Sequence, residues 1–414
     1  MTRPFDLIVF GATGFTGRLV AQHLNTAHGV GGALSWAIAG RSGEKLAGIR
    51  DRIGAPASLP LRVADASDPR ALASLVAQTR AVITTVGPYL RHGEALATAC
   101  AHAGTDYLDL CGEPLWMRQM IERLDAPARA SGARIVFSCG FDSIPFDLGV
   151  VFLQTQAQQR FGAPLVRVSA RVRVMKGGFS GGTAASLLAS LEQVAGDPAL
   201  ARVLADPFAL TPGFRGPAQP DGEAAARDGR TGAWSGPFIM ASINTKNVHR
   251  THALLGHPWG RDFRYDERML TGEGPAGERR ARALVRRARV QAALLGFAPT
   301  RALLRRFVLP KPGEGPSAHE RETGRYELLF TGETADGRVL SARVEGDRDP
   351  GYGSTSKLVA ESALCLLDEV DRSKTAGGVW TPGAAMGMTL AHRLQARAGL
   401  QFSIIDSAAE PAGN

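Results

Sequence analysis

The stretch that most constrains this chain is its beginning, Phe5 to Gly17, which reads FDLIVFGATGFTG. Apolar residues Leu7, Ile8, Val9, Phe10 and Ala12 are followed or interrupted by glycines at 11, 14 and 17. Leu19, Val20 and Leu24 then recur at helical spacing. A buried strand, a tight glycine turn and a helix opening are the expected result. That order suits a dinucleotide. Glycine lets the backbone approach a pyrophosphate, and the helix N-terminus offers free N–H groups at the positive end of its dipole. Gly11, Ala12, Thr13, Gly14, Phe15, Thr16 and Gly17 are therefore the expected pyrophosphate residues. A glycine triplet alone is weak, because glycine-rich strand–helix turns are common; the strand before it and the helix after it carry the reading.

The same alternation runs on. Residues 34–39 read as a second strand, ending in Gly40-Arg41-Ser42. In such folds the tip of the second strand lies beside the adenosine ribose, where an acidic residue favours NAD and repels a 2′-phosphate. Here Arg41 stands at the tip, with Ser42 beside it and Lys45 one turn on. A guanidinium holds phosphate bidentately, so NADP(H) is the expected cofactor. Residues 59–64 form a third strand, ending at Asp65, a neighbour of the adenine ring in this reading. Asp68-Pro69 is an N-cap followed by a first-turn proline. Residues 81–86 form a fourth strand, closed by Gly87-Pro88-Tyr89, which makes Val86, Gly87 and Pro88 expected walls of the nicotinamide side. Two further helix–strand pairs reach Ser138. Six strands alternating with helices predict a doubly wound parallel sheet.

After Phe141 the rhythm changes. Residues 166–174 read VRVSARVRV, strict period two with arginine and serine on the wet face, as in an antiparallel sheet. Lys176 opens a glycine-rich stretch to Thr183, an apolar helix is expected over 184–194, and 206–236 reads as a long loop. Residues 237–248 read as a strand, and 325–332 with 338–346 as a hairpin. Helices are expected over 354–370 and 383–398. The fold class is thus α/β: an N-terminal Rossmann domain plus an α+β domain with a largely antiparallel sheet. The division is 1–140 for NADP(H), 141–350 for substrate or dimerisation, and 351–414 for C-terminal helices that can pack back on the first domain.

Charge and cysteines narrow the class. The net charge is +9, yet residues 279–311 alone hold nine arginines, one lysine and no acid. Setting those ten aside leaves basic and acidic residues nearly balanced. One basic segment without nucleic-acid motifs argues against a nucleic-acid partner. Arginines 279, 282, 286 and 289 share one helical face and Ala281, Leu284, Val285 and Ala288 another. That is a surface helix packed on the second domain, or a dock for an acidic acyl carrier protein or an anionic membrane. No run of about 18 apolar residues occurs. The four cysteines show no close pairing, which fits reduced thiols, a cytoplasmic setting with peripheral contact at the inner membrane face as the variant, and no metal site.

Motifs spread over nearly the whole chain resemble the saccharopine-dehydrogenase-like oxidoreductases, and within them the trans-acting enoyl reductases. They are VFGATGFTGRL at 9–19, AIAGRS at 37–42, ADAS at 64–67, TTVGPYLRHGEAL at 84–96, AHAGTDYLDLCGE at 101–113 and CGFDSIPFDLG at 139–149. INTKNVHR at 243–250, PKPGEGPS at 310–317, YGSTSKLVAESALCL at 352–366 and TPGAAMG at 381–387 also fit. The resemblance implies an NADP(H) domain, a second domain over the nicotinamide end, and reduction of an enoyl double bond on a lipid or polyketide acyl intermediate, presented as a thioester or by an acyl carrier protein. Alternatives are reduction at a C=N or ketone centre, and a cofactor-binding, lipid-associated protein without turnover. A homodimer is open.

Enoyl reduction needs donors at the thioester oxygen and a proton for the α-carbon. Tyr89 is a candidate, although a tyrosine after proline is more often a packing residue. Asp142 and Glu113 sit at strand ends, where they serve equally as caps or turn residues. His92 more readily starts the following helix, Cys139 reads as a small buried residue, and Lys176 as a solvated lysine. No tyrosine has a lysine four residues later, so the short-chain reductase signature is absent.

Overall fold

The computed structural model describes residues 3–177, 186, 188–189, 192–193, 197–297, 299–300 and 315–405. It is built on two seven-stranded sheets. The first has strand order β13-β6-β5-β4-β1-β2-β3. Its members are β1 (Phe5–Phe10), β2 (Trp36–Gly40), β3 (Leu61–Val63), β4 (Thr79–Thr84), β5 (Asp106–Leu108), β6 (Arg134–Val136) and β13 (Gly378–Trp380). Every pairing in it is parallel. Five of the six residues of β1 are buried because helices cover both faces, which is why the strand reads as an unbroken apolar run. Order reverses between β1 and β4, the switch point at which such sheets bind ligands.

The helices of this half are α1 (Phe15–His28), α2 (Gly43–Arg52), α3 (Pro69–Val76), α4 (Tyr89–His92), α5 (Glu94–Ala103) and α6 (Pro114–Ser131). Asp68 caps α3, accepting from the N–H groups of Arg70 and Ala71 with Pro69 in the first turn, as expected. The six N-terminal strands form as the alternation predicts. The seventh was not anticipated: β13 pairs with β6 from near residue 380. Three apolar residues with no periodicity give too little signal. A buried ion pair braces that edge. Arg134 Nε and Nη2 donate to Asp106 at 3.0 and 2.5 Å, and Arg372 adds a contact at 2.9 Å.

The second sheet has order β14-β12-β11-β7-β10-β9-β8. Its strands are β7 (Leu165–Lys176), β8 (Ala226–Arg227), β9 (Trp234–Pro237), β10 (Arg264–Gly272), β11 (Arg325–Thr334), β12 (Val339–Gly346) and β14 (Leu400–Ile405). All its pairings are antiparallel except β7 with β10. Alternation does its work here. Val168, Ala170 and Val172 are buried, Arg167 and Arg173 exposed. The inner face packs on α7 (Ile144–Phe161), where Gly149 leaves room for the Phe330 ring; a Cβ there would lie 2.3 Å from it.

The remaining helices are α8 (Pro198–Ala205), α9 (Ala241–Leu254), α10 (Gly274–Gly296), α11 (Ala318–Thr323), α12 (Thr355–Asp368) and α13 (Pro382–Arg397). Thus the hairpin and both C-terminal helices form. The strand expected over 237–248 does not: only Trp234–Pro237 is extended, and α9 follows. The error has a physical source. Asn244, Lys246, Asn247, His249, Arg250 and His252 are all buried polar residues, so the helix has no apolar stripe to betray it. The long loop over 206–236 holds β8 and the start of β9, and Lys176 ends β7 rather than opening a loop. Residues 178–183 and most of the helix expected over 184–194 lie outside the described residues.

Candidate functional site

The site begins where β1 turns into α1. Gly11 has φ +88°, a left-handed conformation that favours glycine, and a Cβ on it would stand 2.6 Å from Val86 Cγ2. Gly17 is as constrained. Its Cβ would meet the Gly11 carbonyl oxygen at 2.3 Å, so only glycine lets α1 come this close to the loop. Gly14 is the N-cap of α1, with no side chain capping the helix and no acid in its first turn. Those N–H groups are left for an anion. Ala12 is buried, Thr13 and Gly14 are exposed, and Phe15 and Thr16 are half-buried. A phosphate cradle of this shape fits a dinucleotide.

Arg41 is exposed at the tip of β2. Ser42 caps α2, accepting from the Lys45 N–H at 3.3 Å, and the Lys45 side chain is exposed. Asp65 accepts from the Ser67 hydroxyl at 2.7 Å and its N–H at 2.8 Å, and these bonds hold its carboxyl below the ordinary value, with Arg41 and His92 contributing by charge. Arg41, Asp65 and His92 therefore share one rim. Val86 and Pro88 are half-buried and Gly87 exposed at the end of β4, beside Gly11.

The strand ends beyond β4 sort the candidate acids. Tyr89 is buried; its hydroxyl donates to Thr84 O at 3.2 Å and accepts from the Leu110 N–H at 3.1 Å. Burial, with Asp109 and Cys111 adding to it, pushes this phenol well above its ordinary range. Its geometry is that of a strut between the β4 and β5 ends. Glu113 is also committed: its two carboxylate oxygens accept from the N–H groups of Tyr89 and Leu90 at 2.9 and 2.8 Å, capping α4. Asp109 accepts from Cys111, Ser138 and Tyr107, and burial raises it to about 7. Asp142, half-buried just after β6, makes no hydrogen bond or ion pair among the described residues, and burial raises it to about 6. Cys139 is fully buried, which pushes its thiol well up and removes it as a nucleophile. All four cysteines are free and buried.

Two features of the site escaped sequence reasoning. Phe15 of the glycine loop is covered from the second half of the chain: the Tyr352 ring meets it edge-on at 5.2 Å, and the Arg321 guanidinium lies 5.5 Å from its centroid. Beside Asp142, Ser143 accepts from Asn247 Nδ2 at 2.7 Å, while Asn244 donates to the buried Glu267 at 2.9 Å. The signal available was the polar run NTKN within a helix-length segment.

A glycine cradle at the switch point of a parallel sheet, with an arginine at the tip of β2, defines a dinucleotide-binding α/β protein. Comparisons agree. The saccharopine dehydrogenase NADP-binding domain family matches residues 7–136. A Mycobacterium tuberculosis protein provisionally named a trans-acting enoyl reductase is 42% identical over 409 residues, covering 95% of this chain and 96% of that one. A Mycobacterium bovis trans-acting enoyl reductase is 39% identical over 412 residues, with the same coverage. Among solved structures, the L-Glu-forming saccharopine dehydrogenase of Saccharomyces cerevisiae shares the fold, with a TM-score of 0.54 at 12% identity, covering 97% of this chain and 100% of that one. The chain belongs to the saccharopine-dehydrogenase-like oxidoreductases, together with the trans-acting enoyl reductases, and is an NADP(H)-dependent enzyme. Among the described residues no helix is long and apolar enough to cross a membrane.

Proposed function

We propose that the protein is a trans-acting enoyl reductase, using NADPH to saturate an α,β-unsaturated acyl thioester made by a separate lipid or polyketide synthase. What carries this is the full-length identity of 39–42% to relatives of that name. The cofactor supplies the hydride. The glycine loop and the first turn of α1 hold its pyrophosphate, Arg41 with Ser42 and Lys45 binds the 2′-phosphate, and Asp65 lines the adenine. Val86, Gly87 and Pro88 wall the nicotinamide.

Asp142 is our candidate for the proton delivered to the α-carbon. Asp109 and Glu113 are consumed in holding strand ends together, whereas Asp142 has no such partner and a carboxyl at about 6. A raised carboxyl keeps a protonated fraction near neutrality, which is what a general acid requires. Tyr89 is reassigned to positioning. The division of the chain at residues 140 and 350 is likewise proposed; its last part serves both sheets, through β13 and β14.

The test is NADPH oxidation with enoyl thioesters, free or carrier-linked, against imine and ketone substrates. Enoyl turnover is expected, falling as the pH rises through about 6, with that limb flattened in Asp142→Asn. Turnover of imines or ketones alone would promote the other reductase reading. Tight NADPH binding without turnover on any of these would leave a binding protein.

A further inference from the structure

Helix α10 runs 23 residues, Gly274–Gly296. Gly277, Ala281 and Leu284 turn inward; Gly236 on β9 has no side chain, and a Cβ there would meet Leu284 at 3.1 Å. The helix is therefore seated along one face. On the opposite face the expected arginines appear, but they are not alone. Val290 is 52% exposed, Leu294 42% and Phe297, which caps the helix, 61%. Spacings of four and three residues put these on one line, two helical turns long. Ala283, one heptad before Val290, extends it and is exposed too.

Arginines border that line on both sides. Arg286 and Arg289 lie on one flank and Arg287 on the other; all three are exposed and none has an ion pair among the described residues. From Arg279 to Phe297 there is no acidic residue. Of the basic segment, residues 298 and 301–311 lie outside the described residues.

We propose that this outward face of α10 binds an anionic lipid surface. Two features have to be explained together. An acidic protein would match the arginines but leave a phenylalanine and a leucine against polar surface. An apolar partner helix would match the line but desolvate the guanidiniums around it, which is expensive. A lipid interface takes both at different depths. The apolar side chains enter below the headgroups, and the arginine stems bend outward so that guanidiniums sit at the phosphates. Each cation near such a surface contributes on the order of a fivefold gain in partitioning. The inference does not rest on the enoyl-reductase reading.

The experiment is co-sedimentation of the full chain with vesicles of phosphatidylglycerol and phosphatidylcholine, and with phosphatidylcholine alone, at about 0.05 M and about 0.5 M salt. Anionic vesicles are expected to bind at least tenfold more tightly at low salt. Two variants separate the contributions: Val290→Ser/Leu294→Ser/Phe297→Ser and Arg286→Glu/Arg289→Glu. Each is expected to lower partitioning tenfold or more while leaving NADPH affinity unchanged, which shows that the fold is intact. Three results would overturn the proposal. One is no binding to anionic vesicles at low salt, and another is binding insensitive to the serine variant. The third is a protein partner in place of lipid: a dimer that the serine variant dissociates, or an acidic carrier protein whose binding the glutamate variant abolishes, with vesicles unbound.

Discussion

Replacing Glu361 by glutamine tests how the cofactor half is held to the C-terminal helices. Glu361 lies on α12 with its side chain fully buried. Its Oε1 pairs with His23 Nε2 at 2.8 Å and lies 3.5 Å from His28 Nε2, both on α1. Its Oε2 accepts from Arg393 Nε on α13 at 2.8 Å. Burial alone would raise this carboxyl, but the hydrogen bond from His23 and the charge of Arg393 outweigh it and hold it at about 2, against an ordinary 4.5. Such a depression stabilises the fold by about 3 kcal/mol. Because the folded-state value is lowered, that stability is present above pH 4.5 and is lost as the pH falls from there toward 2. Glu361→Gln is thus expected to lose about 3 kcal/mol at neutral pH in urea unfolding, since Arg393 keeps only its exposed contact to Glu369. The gap between the two proteins should narrow steadily once the pH drops below about 4.5. NADPH affinity should also fall, because α1 carries the glycine loop at its other end. A gap under about 0.5 kcal/mol at neutral pH, or one that does not change with pH, would refute the reasoning.

Three further perturbations address the site. Arg41→Asp is expected to weaken NADPH binding at least tenfold while sparing NADH, read by fluorescence titration; unchanged NADPH affinity would remove Arg41 from the 2′-phosphate. Gly17→Ala puts a methyl group 2.3 Å from the Gly11 carbonyl oxygen, so both the melting temperature and cofactor affinity should drop. Tyr89→Phe breaks two hydrogen bonds of a buried strut and should cost about 1–3 kcal/mol in stability. Its kcat should stay within a few-fold of wild type; a loss of three orders of magnitude would return the tyrosine to catalysis.

The fold of the first half was legible because parallel strands covered on both faces leave apolar runs, and because the turns between them use glycine and proline for stated reasons. Strand β7 was legible for the opposite reason: one wet face imposes alternation. What failed, apart from the short strands β13 and β14, were segments whose burial is polar. Helix α9 carries asparagines, a lysine, an arginine and histidines into the interior, so neither period was visible. Strand β10 escaped for a related reason, with Asp266, Glu267 and Arg268 all buried in its middle. At the site, the glycine loop and Arg41 could be read locally. The fates of Tyr89, Glu113 and Asp109 could not. Each depends on which backbone groups of a neighbouring strand end lie within reach, and that is decided by register. On α10 the packed face through Ala281, Leu284 and Ala288 was legible, but the outward line through Val290, Leu294 and Phe297 was not, because arginines are interspersed along it.

Strand β13 has a consequence for the order in which the protein is made. Its three residues pair with β6, whose own sequence is finished more than half a chain earlier. Until residue 380 leaves the ribosome, β6 is an open edge and Arg372 is missing from the Asp106–Arg134 pair. An N-terminal product of some 140 residues would therefore present an unpaired strand, the kind of edge that recruits other chains. The cofactor half is complete only once residues 378–380 have been made. A chain cut off before residue 378 leaves β6 without its partner strand, so its nucleotide-binding sheet keeps an open edge through which incompletely folded chains associate.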